Sequence, residues 1–144
     1  MDALEMLKAD HQRVSELFDQ LQQADDIDQK RDIFELIRDE LNAHADLEEN
    51  YFYPLFKSKE GFEDLIDESY DDHAEVRDLI EEIDSLDDES EIEDRFDELQ
   101  EVVDGHVNEE EHDLFPKVRK VMDQEALDKL GEELMAAKAP PRAA

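Results

Sequence analysis

Two stretches of the chain, "HADLEENYFYPLF" from His44 and "HVNEEEHDLFPKV" from His106, spell one phrase. Each reads His, three residues, two glutamates, and then an aromatic–proline pair nine and ten places after the His. Imidazole and carboxylate are ligand types that suit iron, manganese or zinc. A His and a Glu at i and i+4 stand on one helical face, one turn apart. Two more histidines match across the same interval: His11 to His73 and His44 to His106 are both 62 residues apart. That offset also sets Glu48 on Glu110, so His11, His44, Glu48, His73, His106 and Glu110 are the candidate metal ligands.

Such residues need rigid elements to turn them inward, and the sequence supplies helices. Leu4, Leu7, His11, Val14, Phe18 and Leu21 step by 3, 4, 3, 4 and 3, an apolar helical seam. Asp2 with Glu5 reads as its capping pair. After a turn at 24–28, capped by Asp28, a second seam runs Phe34, Ile37, Leu41, His44, Glu48, Tyr51, Leu55 until "KSKEG" breaks it. A third carries Phe62, Ile66, Ser69, His73, Val76, Ile80 and Ile83. The fourth carries Phe96, Leu99, Val103, His106 and Glu110, with Ser90 and Glu93 as its capping box. Asp123 caps a short fifth helix ending near Lys138, and residues 139–144 are a frayed tail. Val14 on Val76, Phe34 on Phe96 and Pro54 on Pro116 also superpose at the offset of 62. The expected fold is all-α: two copies of a helical hairpin packed as an antiparallel up-down-up-down four-helix bundle over 1–138, with a short C-terminal helix.

Each helix thus puts one His on its buried seam, and two add a Glu. An unpaired buried carboxylate costs several kcal/mol, roughly. The nearby cation, Arg77, cannot serve so symmetric a pair. A single seam His is usually a hydrogen-bonded core residue; four at matched offsets with two matched glutamates point to metal. Pseudosymmetry pairs His11 with His44 and His73 with His106, with Glu48 and Glu110 bridging, although spacing alone does not force that pairing. Room remains for an oxide, a water or a small ligand. His112 lies about 240° round the helix from His106 and should face away. Glu49 and Glu111 sit off the seam, on solvated faces or behind the ligands. Tyr51 and Tyr70 read as seam packing. Pro54 and Pro116 bend or end their helices beyond the site.

Composition sets the outer limits. With 144 residues the chain is about one domain, and without Cys it has neither disulfides nor thiolate chemistry. Fifteen Lys and Arg against 46 Asp and Glu give a net charge of −31, a surface that repels phosphate backbones. No apolar run spans a membrane, and the N-terminus lacks a signal-peptide core, so a cytoplasmic protein without nucleic-acid or membrane partners is expected. Dense carboxylates and few lysines suit folding in high salt and a halophilic host.

The quoted residues resemble the hemerythrin-like, or HHE cation-binding, family over roughly residues 2–122. The carriers are His11 after Asp10, "HADLEE" at 44–49, His73 after Asp72, and "HVNEEE" at 106–111, followed by "YP" and "FP". The resemblance implies a four-helix bundle around a non-haem di-iron centre: two iron ions, oxo- or hydroxo-bridged, held by His11, His44, Glu48, His73, His106 and Glu110. Manganese and zinc remain alternatives for this ligand set. Oxygen-carrying hemerythrins have a second His one turn after the third-helix His. Here Arg77 stands there, with Ser15 in the first repeat, which counts against reversible oxygen carriage. Ferritin-like Glu-x-x-His and protease HExxH motifs are absent.

The expected function is binding of dioxygen or a related small ligand, for sensing, storage or iron handling. The competing expectation is a di-iron enzyme acting on peroxide, nitric oxide or dioxygen.

Overall fold

A computed structural model describes residues 1–138; the expected frayed tail, 139–144, lies outside the described residues. Every regular element among the described residues is helical. Helix α1 (Ala3–Gln23) and α2 (Ile27–Leu47) form the first hairpin, and α3 (Glu63–Ser85) and α4 (Glu89–Glu109) the second. Helix α4 runs on through a five-residue π-helical turn, Glu110–Leu114, into α5 (Phe115–Val121), and α6 (Gln124–Lys138) follows. The architecture is the expected four-helix bundle with a C-terminal helix.

Caps explain where the helices begin. Asp2 accepts from the Glu5 amide while the Glu5 side chain answers the Asp2 amide, the reciprocal box read from the sequence. Two other caps lie earlier than expected. Asp26, not Asp28, caps α2 by accepting from the Gln29 amide, because Ile27 is already helical. Asp88, not Ser90, caps α4, accepting from the amides of Ser90 and Glu91. In both cases a run of acidic residues offers several candidate caps, and the earlier Asp adds helical residues and so more backbone bonds. Asp123 caps α6 as expected, through the Ala126 amide.

The seams bury two apolar layers. One joins Phe18, Leu21, Phe34, Ile37, Ile83, Phe96 and Leu99 near the hairpin turns; the repeat partners Phe34 and Phe96 meet there with ring centroids 5.3 Å apart. The other joins Leu4, Leu7, Phe52, Phe56, Ile66, Phe115 and Val118, and α6 closes it with Leu127, Leu130 and Leu134. A polar layer of histidines and glutamates lies between them. Residues that bury this deeply contribute about 1.5–3 kcal/mol per large side chain, enough to hold a polar layer that would not fold by itself.

One seam departs from the expected period. Beyond Leu47 the second helix enters a π-helical turn, Glu48–Phe52, in which the Tyr53 amide bonds back to the Glu48 carbonyl. A π turn bonds i to i+5 and so inserts one residue into the period. The seam therefore continues through Phe52, Tyr53 and Phe56, all fully buried, while Tyr51 and Leu55, expected on it, are 44% and 46% exposed. The fourth helix makes the same turn at Glu110–Leu114, 62 residues on. Each turn is followed by a proline, Pro54 or Pro116, which lacks the amide that would restore an i to i+4 bond.

Candidate metal centre

All six expected ligands converge in the polar layer. Glu48 and Glu110 are 0% and 1% exposed, and His11, His44, His73 and His106 are buried around them. They fall into two groups. His11, His44, Glu48 and Glu110 offer ligand atoms within 4.8 Å of one another, as do Glu48, His73 and His106. The His11 and His44 rings lie 4.8 Å apart at 64°, and those of His73 and His106 lie 4.9 Å apart at 71°, so the two halves repeat the same geometry. The pairing that spacing alone left open is the one the bundle adopts.

The carboxylates sit between the groups. Glu48 Oε1 is 3.2 Å from His44 Nε2, 3.1 Å from His73 Nε2 and 4.0 Å from His106 Nε2. Glu110 reaches both sides, with Oε1 3.2 Å from His11 Nε2 and Oε2 3.4 Å from His106 Nε2. All four histidines thus aim Nε2 inward.

Their outer nitrogens explain why. His44 Nδ1 meets Asp10 at 3.0 Å and His106 Nδ1 meets Asp72 at 3.1 Å. His11 Nδ1 meets Glu111 at 2.6 Å and His73 Nδ1 meets Glu49 at 2.7 Å. An ionised carboxylate only accepts, so each Nδ1 carries a proton, which fixes the ring and leaves Nε2 facing the centre. Asp10 and Asp72 are repeat partners, as are Glu49 and Glu111. All four are visible in the sequence, and the match of the two aspartates at the offset of 62 is the signal of their role. The π turns matter here too, because they place Glu48 with Glu49, and Glu110 with Glu111, on adjoining sides of two histidines.

The electrostatics are those of a site built to concentrate positive charge. Burial would push the His44 imidazole down, but the Glu48 charge and the Asp10 hydrogen bond outweigh it and raise its pKa to about 10. His106 is raised to about 12 against the same burial penalty, by its hydrogen bond to Asp72 and by the Glu110 and Glu48 carboxylates beside its ring. Burial would raise the Glu48 carboxyl, yet the charge of His44 and its hydrogen-bonding neighbours hold it well below the carboxylate range. Three buried atoms still make no well-formed hydrogen bond, although two of them have a polar neighbour within 3.4 Å: Glu48 Oε2, His106 Nε2 and Glu110 Oε1. Orphaned buried polar atoms are rare and call for an occupant. The donor set, two imidazoles and shared carboxylates on each side, fits a metal centre.

Tyr53 is the residue that sequence reasoning missed. Its hydroxyl donates to Glu110 Oε2 at 2.5 Å and lies 3.3 Å from His73 Nε2. Burial, with the charges of Glu48 and Glu110, pushes its pKa well above the usual phenol value, so it stays a donor. Its repeat partner is Phe115, which stacks on His11 with centroids 6.1 Å apart. The two halves therefore differ by one hydroxyl. Tyr70 packs edge-on against Tyr53, with ring centroids 5.4 Å apart. His112 is exposed and bonds the Asn108 carbonyl, facing away as expected. Arg77 stays outside the ligand shell and grips Glu49 at 2.8 Å.

A cavity of about 40 Å³ adjoins the four histidines, walled by Val14, Leu41, Val76, Val103 and Val107. One water-sized sphere needs roughly 10–15 Å³ by the same measure, so the space admits a diatomic molecule or a few waters. No helix among the described residues is long and apolar enough to cross a membrane.

Comparison with known proteins agrees with this geometry. The model of the hemerythrin HHE cation-binding domain matches residues 2–118 and again 70–133, the second match beginning within the second hairpin. A protein of Nostoc sp. (strain PCC 7120 / SAG 25.82 / UTEX 2576) named "DNA nickase" is 34% identical over 139 residues, covering 96% of this chain. The chain spans only 39% of that relative's length. No solved structure matches. With the family model covering most of the sequence and its histidines and glutamates gathered in one buried layer, the chain belongs to the hemerythrin HHE cation-binding domain family.

Proposed function

We propose that the protein is a non-haem di-iron protein that binds dioxygen or a related small neutral ligand at the His/Glu layer, in sensing, storage or iron handling. The observation that carries this is the apolar cavity of about 40 Å³ set against four inward-aimed imidazoles. Two iron ions would supply a redox couple and open coordination positions there. His11 and His44 would hold one, His73 and His106 the other, and Glu48 and Glu110 would span both. The apolar valine and leucine walls favour a small apolar ligand over a hydrated one. The four outer carboxylates hold the imidazoles in their binding tautomer.

Tyr53 favours a second reading, an enzyme acting on peroxide, nitric oxide or dioxygen. A phenol donating to Glu110 is placed to deliver a proton beside the centre. The relative's name brings a third class, action on DNA, but a charge of −31 opposes contact with phosphate backbones, and that relative is more than twice as long.

The test is optical. Iron-loaded protein, reduced and then exposed to oxygen, should show an absorption change that reverses when oxygen is removed. Sustained consumption of peroxide or nitric oxide, lost in Tyr53→Phe with metal content intact, would instead establish the enzyme. Protein that takes up no iron would refute both.

A further inference from the structure

The C-terminal helix touches one half of the metal centre and not the other. Helix α6 has no counterpart in the duplicated hairpins. It docks by Leu127, Leu130 and Leu134 beneath the polar layer. Gly131 permits the close approach: a Cβ there would lie 2.6 Å from the Met1 carbonyl oxygen and 3.0 Å from the Ala3 nitrogen. So seated, α6 delivers Lys138 Nζ to Asp10 Oδ1. The other oxygen of that carboxylate, Oδ2, accepts from Nδ1 of His44. Asp72, the repeat partner of Asp10, accepts from His106 in the same way, yet among the described residues no Lys or Arg pairs with it.

We propose that Lys138 is a positioning residue for the ligand His44, acting through Asp10, so that docking of α6 tunes the ion held by His11 and His44 and leaves the ion held by His73 and His106 alone. The inference rests on the two-ion reading above. Asp10 is 4% exposed, and a buried carboxylate with one hydrogen bond is free to turn toward other donors. Lys138 holds its second oxygen, which keeps the first on His44 and the His44 lone pair pointed inward. Coupling of this kind is reciprocal: an ion at His11 and His44 should tighten α6 on the bundle by the same factor that α6 tightens the ion.

The test titrates the metal-free full chain with cobalt(II) against a competing chelator, while hydrogen exchange follows the α6 amides. Outer-shell partners of a ligand are worth roughly 10–100-fold in metal affinity, and Lys138 acts one bond further out, so Lys138→Met should weaken one of the two binding steps about three- to tenfold. Lys138→Arg should restore it. Gly131→Ala, which lifts α6 from its seat, should weaken the same step. Asp72→Asn should weaken the other, which assigns the steps. Cobalt should slow α6 exchange in the parent protein and not in Lys138→Met. Two steps left unchanged by Lys138→Met, or weakened alike, would overturn the inference, as would α6 exchange indifferent to metal. A parent protein that binds no cobalt would overturn the metal reading itself, and this inference with it.

Discussion

Stripping the metal should cost the bundle a definite amount of stability. Three buried atoms, Glu48 Oε2, Glu110 Oε1 and His106 Nε2, make no well-formed hydrogen bond within the protein. Each unsatisfied buried polar atom costs roughly 1–3 kcal/mol, so together they weigh about 3–9 kcal/mol against a total stability of about 5–15 kcal/mol. For a chain of this size that corresponds to a midpoint lowered by about 10–30 °C. The assay is thermal unfolding by circular dichroism, metal-loaded against chelator-treated, at one salt concentration because a charge of −31 makes stability salt-dependent. A companion variant isolates the cause. Replacing Glu48 and Glu110 together by Met removes two of the orphaned atoms and both buried charges. Metal-free and near pH 10, where His44 is losing the proton that pairs it with Glu48, it should melt at or above the metal-free parent, since well-packed apolar side chains often match or exceed a buried ionic cluster. It should also ignore chelator. A parent protein that melts within about 3 °C with and without metal would refute the reasoning. So would a double variant melting far below the metal-free parent at that pH, because the carboxylates would then be stabilising the bundle without their His44 partner.

Four further outcomes follow from the geometry. Tyr53→Phe should keep the fold and the metal content, cost about 1.5–3 kcal/mol by removing a hydrogen bond to a buried carboxylate, and shift the spectrum of the bound metal, whereas Phe115→Leu should leave that spectrum nearly unchanged. In metal-free protein His44 titrates near 10 and His106 near 12, both above an unfolded value of about 6.5. Their contribution to stability is therefore complete below about pH 6.5 and is lost as pH rises toward those values, a slope that denaturant melts between pH 6 and 10 should show. The same protons must leave for metal to bind, so loading at pH 7 should release about two protons per chain, measurable by calorimetry in buffers of differing ionisation heat. His112→Ala should leave metal content and stability unchanged, because the ring is exposed and bonds only the Asn108 carbonyl.

How much of this was legible depends on period. The candidate ligands could be picked out because His11, His44, His73 and His106 lie on stretches of regular α-helix, where seam spacing maps directly to facing. The duplication then paired them. Tyr53 could not be read that way. The π turn beginning at Glu48 adds one residue to the period, so an α-helical count assigned its place to Tyr51, which is exposed. The one local hint was a proline directly after each aromatic, Pro54 and Pro116. The helix starts slipped for a different reason: where Asp25, Asp26 and Asp28 crowd one turn, composition cannot say which carboxylate caps. The Asp10 and Asp72 contacts lie between helices, so only the packed bundle shows them, and the Lys138 contact needed the docking of a helix outside the repeat.

The most direct test of the account is the metal content of the full-length protein isolated from its own host, counted per chain by elemental mass spectrometry beside a variant carrying His44→Ala and His106→Ala. Two iron ions per chain are expected, one for each candidate ligand group around Glu48 and Glu110, with most of that iron lost in the variant. Protein with no bound metal, with colourless zinc at both positions, or with iron that survives the loss of both histidines would contradict it.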